Sequence, residues 1–348
     1  MDFDLSDVQR SWREKAQSLG RGLSADAAAS DVVMGAARAG LLDPQADLVA
    51  AALAVEALAC ESAAAGMALA LHTAALLARL HQGRVALRPD QAVPVERTAF
   101  AVRSGAAGSD DFDSLVRGET VGALSLSTED VPSLDAGKLT GRASWVGPIT
   151  GHGIAIVGAR NGDEITACAV SLDSEGVQVE PVPTSALRGF VSAYVTFAGA
   201  PCVAAGAPTR IMARARTLIA ATALGIGNRA LRESLAVAHR ERGAGGEQTV
   251  EGLLADTATE LDAARLLTWK AAGATEDVSL ADASMAKLAA AAAAQAAVVR
   301  ATQVVGVDSF RRGHVIERLT QDVRAIELFA GRTEALREAV AADELPHA

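Results

Sequence analysis

The sequence predicts an α+β chain of three parts: N-terminal helices, a central antiparallel β domain and a C-terminal four-helix bundle. Three observations carry that prediction. Alanine-rich spacings of three and four fill both ends of the chain. Between about Gly118 and Pro208 they give way to short β-like runs punctuated by Gly, Pro, Asn and Asp. Finally, 348 residues that are 50% hydrophobic can bury more than one core. With only 3% aromatic residues, that core has to be Leu, Val, Ile and Ala in close helix–helix contact. The expected boundaries are 1–115, 116–208 and 209–348.

Each element has its own signal. Leu5, Val8, Trp12, Ala16 and Leu19 form a first amphipathic helix, and Ser6 with Gln9 reads as its capping box. Further helices are expected around Asp31–Ala39, Asp47–Ala65 and Gly66–Leu80. Strands are expected at Val121–Ser127, Ala143–Val146, Ile154–Ala159, Ile165–Val170 and Ala193–Phe197. Arg160-Asn161-Gly162-Asp163 reads as a hairpin turn. Long helices then cover Arg210–Arg240, Thr249–Ala272 and Leu280–Val305, broken at Gly243–Gly246 and Gly306–Gly313.

Composition excludes several classes of function. A formal charge of −10 and a pI near 5.2, with no local block of Lys or Arg, argue against nucleic acid as a partner. The acidic start, MDFDLSDVQRSW, has no signal pattern. The apolar stretches Leu48–Cys60 and Ala289–Val299 read as too short or interrupted to span a bilayer, so a cytoplasmic protein without membrane insertion is expected. Cys60, Cys168 and Cys202 form neither a disulfide framework nor a zinc cluster, and no metal is expected. There is no phosphate loop and no His-Glu-x-x-His. The histidines are scattered, and one such as His72 on a helix reads as packed or solvated. Residue chemistry alone thus ends at an acidic α–β–α protein.

Several segments, taken together and in order, resemble the acyl-CoA dehydrogenase family. Gln248 precedes a helix, Leu254 to Leu267, that is similar to the helix following the family's motif Gln. Ala283-Ser284-Met285-Ala286-Lys287 is similar to its Ala-Ser-x-Ala-Lys pattern. Ala301-Thr302-Gln303-Val304-Val305-Gly306 resembles Val-Gln-Ile-x-Gly, and Ile316 to Asp322 resembles Val-Glu-Arg-x-x-Arg-Asp. In the β region, Asp113 to Glu119, Ser127-Thr128-Glu129, Gly141 to Val146 and Leu187-Arg188-Gly189 resemble family segments more loosely. The resemblance covers nearly the whole chain. It implies the family's three-domain fold, an FAD cofactor, an acyl-CoA or other acyl thioester as substrate, a role in lipid metabolism, and assembly into a dimer or tetramer. By the same resemblance Thr128, Trp145, Arg240, Arg242, Gln248, Gln303 and Gly306 are cofactor-binding candidates, and Arg216 a substrate-binding one. Gln248 and Gln303 read equally well as polar residues at helix ends.

The departures bear on mechanism. The family's reaction removes a proton beside the thioester carbonyl, which needs a carboxylate base, while hydride passes to the flavin. Where the family carries Tyr-Glu-Gly-Thr, this sequence reads Phe329-Ala330-Gly331-Arg332. The alternative base position, on the first long helix of the bundle, aligns with Ala215. A methyl group takes no proton, so no catalytic residue is assigned. The Arg-x-x-Phe-Gly motif is reduced to Arg240-Glu241-Arg242-Gly243, and Gly-Gly-x-Gly becomes Gly306-Val307-Asp308-Ser309. Three readings follow. The chain is a subunit of a heteromeric acyl-CoA dehydrogenase whose related partner chain supplies the base. Alternatively it is a flavin enzyme of different chemistry or with a displaced base, for which Glu327 and Glu334 lie one turn either side of Ala330. Or it is a non-catalytic scaffold.

Overall fold

The computed structural model describes residues 4–85, 109–127, 130–240, 247–274 and 278–345. Helix α1 (Asp7–Gly22) opens with the expected capping box: Ser6 Oγ accepts from the Gln9 amide, and the Gln9 side chain accepts from the Ser6 amide. Helices α2 (Ala29–Arg38), α3 (Leu48–Glu61), α4 (Ala63–Val85) and α5 (Ser109–Val116) follow. The break expected at Gly66 falls instead at Ser62, which is extended and whose Oγ accepts from the Ala65 amide at 3.3 Å. Gly66 has a different role. A Cβ there would lie 2.7 Å from Ala59 Cα, so the residue permits α3 and α4 to cross closely.

The strands are β1 (Val121–Ser125), β2 (Ser133–Asp135), β3 (Lys138–Val146), β4 (Gly153–Asn161), β5 (Glu164–Ser171), β6 (Val177–Val182), β7 (Ser192–Pro201) and β8 (Val203–Gly206). They form one eight-stranded sheet. The pairs β2–β3, β3–β7, β4–β5, β5–β8 and β6–β7 are antiparallel, as the short-strand texture predicts. In addition β1 joins β4 in parallel, and β2 touches β4 in parallel at Ser133 and Arg160. Gly162 and Asp163 make the tight β4–β5 hairpin loop, with Gly162 at φ +62°. One face of the sheet joins the large core that continues into both helical parts. The other face encloses a smaller core around Leu139, Val157 and Phe197.

Helices α6 (Pro208–Arg240), α7 (Glu247–Ala272) and α8 (Leu280–Val305) come next. A 3₁₀ turn (Gly306–Phe310), α9 (Val315–Leu328) and α10 (Thr333–Glu344) complete the described chain. Arg216 meets Ser284, and Gly227 faces Ala294 further along, so α6 and α8 run parallel. Gly227 also meets Leu261, while Arg300 pairs with Glu260, which sets α7 antiparallel to both. The expectation that the apolar stretch at Ala289–Val299 is too short for a membrane needs correcting. Leu280–Phe310, 31 residues, is long and apolar enough to cross one. Here it instead packs against α6, α7, α9 and α10 and buries Ser284 and Lys287.

The N-terminal part is fixed to the bundle by charge as well as by packing. Arg265 on α7 bonds Glu56 on α3 at 3.0 Å, and Arg229 and Arg232 on α6 both reach Glu61. Both carboxylates are largely shielded from solvent, and the Arg232 guanidinium holds the Glu61 carboxyl below the usual range.

Candidate active site

The last residues of α9 and the turn toward α10, Glu327 to Gly331, are held by two cations. Lys287, fully buried on α8, donates to the carbonyls of Glu327 (3.1 Å), Phe329 and Gly331 (2.7 Å). Three acceptors match the three N–H donors of an ammonium group. Burial, followed by the nearby Arg216 charge, pushes the Lys287 pKa down to about 7, against the opposing pull of Glu327. Arg216, 7% exposed on α6, donates from Nε to the Ala330 carbonyl at 2.9 Å and from Nη1 to Ser284 Oγ at 2.8 Å. Ala330 sits at φ +56°, in the left-handed region that a residue with a Cβ visits at a cost. Gly331 follows at φ +113°, and a Cβ there would meet Arg216 Nη2 at 2.9 Å. Only glycine fits beneath that guanidinium.

The sheet contributes a second turn to the same place. The Leu187 amide donates to Asp322 Oδ1 on α9 at 2.6 Å, and the Phe190 ring meets the Phe329 ring edge-on at 5.6 Å. Asp322 is buried. Desolvation raises its pKa, and the Leu187 hydrogen bond opposes that shift. Gly189 lies at φ +91°, where a Cβ would collide with the Ala27 carbonyl at 2.3 Å. Leu187-Arg188-Gly189 and Phe329-Ala330-Gly331 therefore form one packed junction between sheet and bundle.

Trp145 belongs to a bulge where the β3–β7 register shifts between Ala143 and Val146. It has φ +56° and is 47% exposed, with its ring edge-on to Tyr194 at 5.9 Å; Arg142 covers the Tyr194 ring at 4.0 Å. A large indole held half out of the sheet by a backbone bulge offers a flat apolar face to a planar ligand.

The remaining candidates lie elsewhere. Ala215 is fully buried. Arg240, Gln248 and Gln303 are exposed, and Gly306 ends α8 at φ +70°. The helix directions bring these four toward one end of the bundle. That end is about 36 Å along α6 from Arg216, at about 1.5 Å per residue. Thr128 and Arg242 lie outside the described residues. Of the displaced-base candidates, Glu334 is exposed, and the Glu327 carboxylate is engaged by Gln295 (2.7 Å), Arg324 (3.4 Å) and Thr333 (3.3 Å). Sequence reasoning did not single out Lys287 as a site residue. The available signal was a lone lysine within the alanine-rich run from Ala281 to Ala294.

Comparison with known proteins bears on the fold and on the C-terminal helices. Residues 206–345 match the family described as acyl-CoA dehydrogenase, C-terminal domain. Butyryl-CoA dehydrogenase from Megasphaera elsdenii superposes with a TM-score of 0.83 at 18% identity, covering 99% of this chain and 100% of that one. Residues 206–345 therefore resemble the acyl-CoA dehydrogenase C-terminal domain, and the whole chain has the fold of butyryl-CoA dehydrogenase. The bovine (Bos taurus) mitochondrial short-chain specific acyl-CoA dehydrogenase is 35% identical over 129 residues, 35% of this chain and 31% of the relative. A 3-sulfinopropanoyl-CoA desulfinase from Paraburkholderia xenovorans is 28% identical over 71% of this chain and 66% of its own. These sequence matches thus span 31% and 66% of the two relatives' lengths. A structure of a Tcur3481–Tcur3483 steroid ACAD variant superposes with a TM-score of 0.77 at 20% identity, covering 96% of each chain.

Proposed function

We propose that this chain is a subunit of a heteromeric, FAD-dependent acyl-CoA dehydrogenase and that a related partner chain supplies the catalytic base. One observation carries the reading: the turn where the family places its base is fully built, yet it ends in a methyl group. Lys287 and Arg216 hold the carbonyls of residues 327, 329, 330 and 331, and the side chain they present is Ala330. The alternative position, Ala215, is a second methyl and is buried. A family member that worked alone would need a carboxylate at one of them. The Tcur3481–Tcur3483 steroid ACAD, a structure of similar fold whose name joins two proteins, is consistent with such a division of labour.

The residues present fit FAD. Trp145 offers the exposed indole face that a flavin ring would stack on, while Arg240, Gln248, Gln303 and Gly306 would present donors and open backbone toward the dinucleotide at the far end of the bundle. Thr128 and Arg242 complete the set by resemblance. When bound, FAD supplies the hydride acceptor for oxidation of the acyl chain. The protein's own share is positional. Arg216 and Lys287 fix the turn, Phe190 and Asp322 lock it to the sheet, and the apolar junction keeps water from its inner side. Assembly as a dimer or tetramer would bring the partner's base into play.

The test is to purify the chain alone and co-expressed with a related acyl-CoA dehydrogenase chain that retains the glutamate. Flavin absorbance and acyl-CoA oxidation are expected in the co-purified complex, with turnover lost when the partner's glutamate becomes glutamine. A chain that binds flavin and oxidises acyl-CoA by itself would sink the proposal. A second reading, a different flavin reaction on the same fold, draws support from the desulfinase relative, whose named reaction is not a dehydrogenation.

A further inference from the structure

Arg216 and Lys287 are adjacent buried basic groups, and no anion among the described residues is bonded to either. Among the described residues, neither side chain has a carboxylate within 4.0 Å. Arg216 uses Nε and Nη1 on protein atoms, and among the described residues Nη2 has no hydrogen-bond acceptor, although the residue is more than nine-tenths buried. Glu327 is the carboxylate whose charge reaches Lys287, but Gln295, Arg324 and Thr333 engage it. Burial alone pulls the Arg216 pKa down to about 10. Burying a guanidinium beside an ammonium is costly, which is why the Lys287 pKa falls to about 7, and an anion at Arg216 would favour the charged form of both. Gly331, which has no side chain, lies directly beneath Nη2, and its neighbour Ala330, whose carbonyl Arg216 Nε holds, carries only a methyl group.

We infer that Arg216 Nη2, backed by the charge of Lys287, binds the carboxylate of a small anionic ligand at the Phe329–Gly331 turn. The ligand's carboxylate occupies the position that a side-chain carboxylate on residue 330 would take. It accepts a charge-assisted hydrogen bond from Nη2, the strong class of such bonds. This inference rests on placing the substrate site at that turn, and not on the heteromeric assignment. It names a feature of the ligand that the turn admits: a negative charge near the point where the family carries its base.

The experiment uses the purified full-length chain, without flavin or partner, titrated with succinate, succinamide and sodium sulfate at matched ionic strength. Binding is followed by thermal shift and calorimetry. Succinate is expected to bind tighter than succinamide by about tenfold or more, the worth of one charged hydrogen bond. Sulfate is expected to reproduce none of the stabilisation. Ala330→Glu supplies the carboxylate within the chain, so it should raise the Tm by itself and abolish the response to succinate. Arg216→Gln should abolish the response without raising the Tm. Equal effects of succinate, succinamide and sulfate on the unaltered chain would overturn the inference whether or not either variant folds. An undiminished succinate response in a folded Ala330→Glu protein would overturn it too. Neither result depends on flavin binding, so failure here and failure of the heteromeric reading are separable.

Discussion

Stability should fall in mild acid through a single buried histidine. His72 on α4 is fully buried, and its Nδ1 accepts from the Gly122 amide at 2.9 Å, which ties α4 to the first strand. An acceptor nitrogen must be unprotonated, and burial pushes the pKa from 6.5 down to about 4, against a smaller opposing pull from the Leu115 backbone. The folded value lies below the unfolded one, so the unfolded chain takes up the proton first. The stabilisation is fully present above about pH 6.5 and is lost as pH falls toward 4. At pH 5 the unfolded form is almost wholly protonated and the folded form only slightly. With 1.36 kcal/mol per unit, the loss at pH 5 is about 2 kcal/mol, levelling near about 3 kcal/mol at lower pH. His72→Asn places an amide oxygen near the Nδ1 position without the titration. The assay is urea unfolding of both proteins at pH 8 and pH 5. Comparing the two cancels every other titrating group. The parent should lose about 2 kcal/mol more than the variant between those pH values. Parallel losses would refute the assignment of a neutral buried imidazole.

Substitutions at three further positions probe other parts of the fold. Asp322→Ala leaves the Leu187 amide buried without its acceptor and should cost about 1–3 kcal/mol. Asp322→Asn keeps an oxygen in place and should cost less, and thermal unfolding of the two ranks them. Gly225→Ala drives a Cβ to 2.5 Å from both the Glu56 carbonyl and Ala59 Cβ, so it should destabilise by about 1–3 kcal/mol or fail to fold. Gly252→Ala on α7 meets nothing within 4 Å and should stabilise by about 0.5–1 kcal/mol through helix propensity. Denaturant midpoints measured side by side should move in opposite directions.

Sequence alone determined the order of helices, strands and helices, because 3.6-residue and two-residue periodicities are local properties of the chain. It also determined the Ser6–Gln9 cap, a contact spanning three residues, and the end points of α8. Its motifs pointed to a resemblance to the acyl-CoA dehydrogenase family, and that resemblance picks out Ala330 and Ala215 as the positions aligned with the family's base, since an alanine is visible without coordinates. Tertiary structure decided what the retained residues do. Gly66 read as a helix break because a glycine's local meaning is flexibility; its actual reason is the backbone of α3 passing against it. The parallel addition of β1 to β4 joins residues about thirty positions apart, which no alternation pattern reports. Lys287 looked like one charge in an alanine helix until α9 brought three carbonyls to it from some forty residues downstream. Arg216 likewise acquired its partners, and its unmatched charge, only when α6, α8 and the 329–331 turn converged. Burial and hydrogen bonding between distant segments exist only once the chain has closed on itself, and they set the electrostatics of this site.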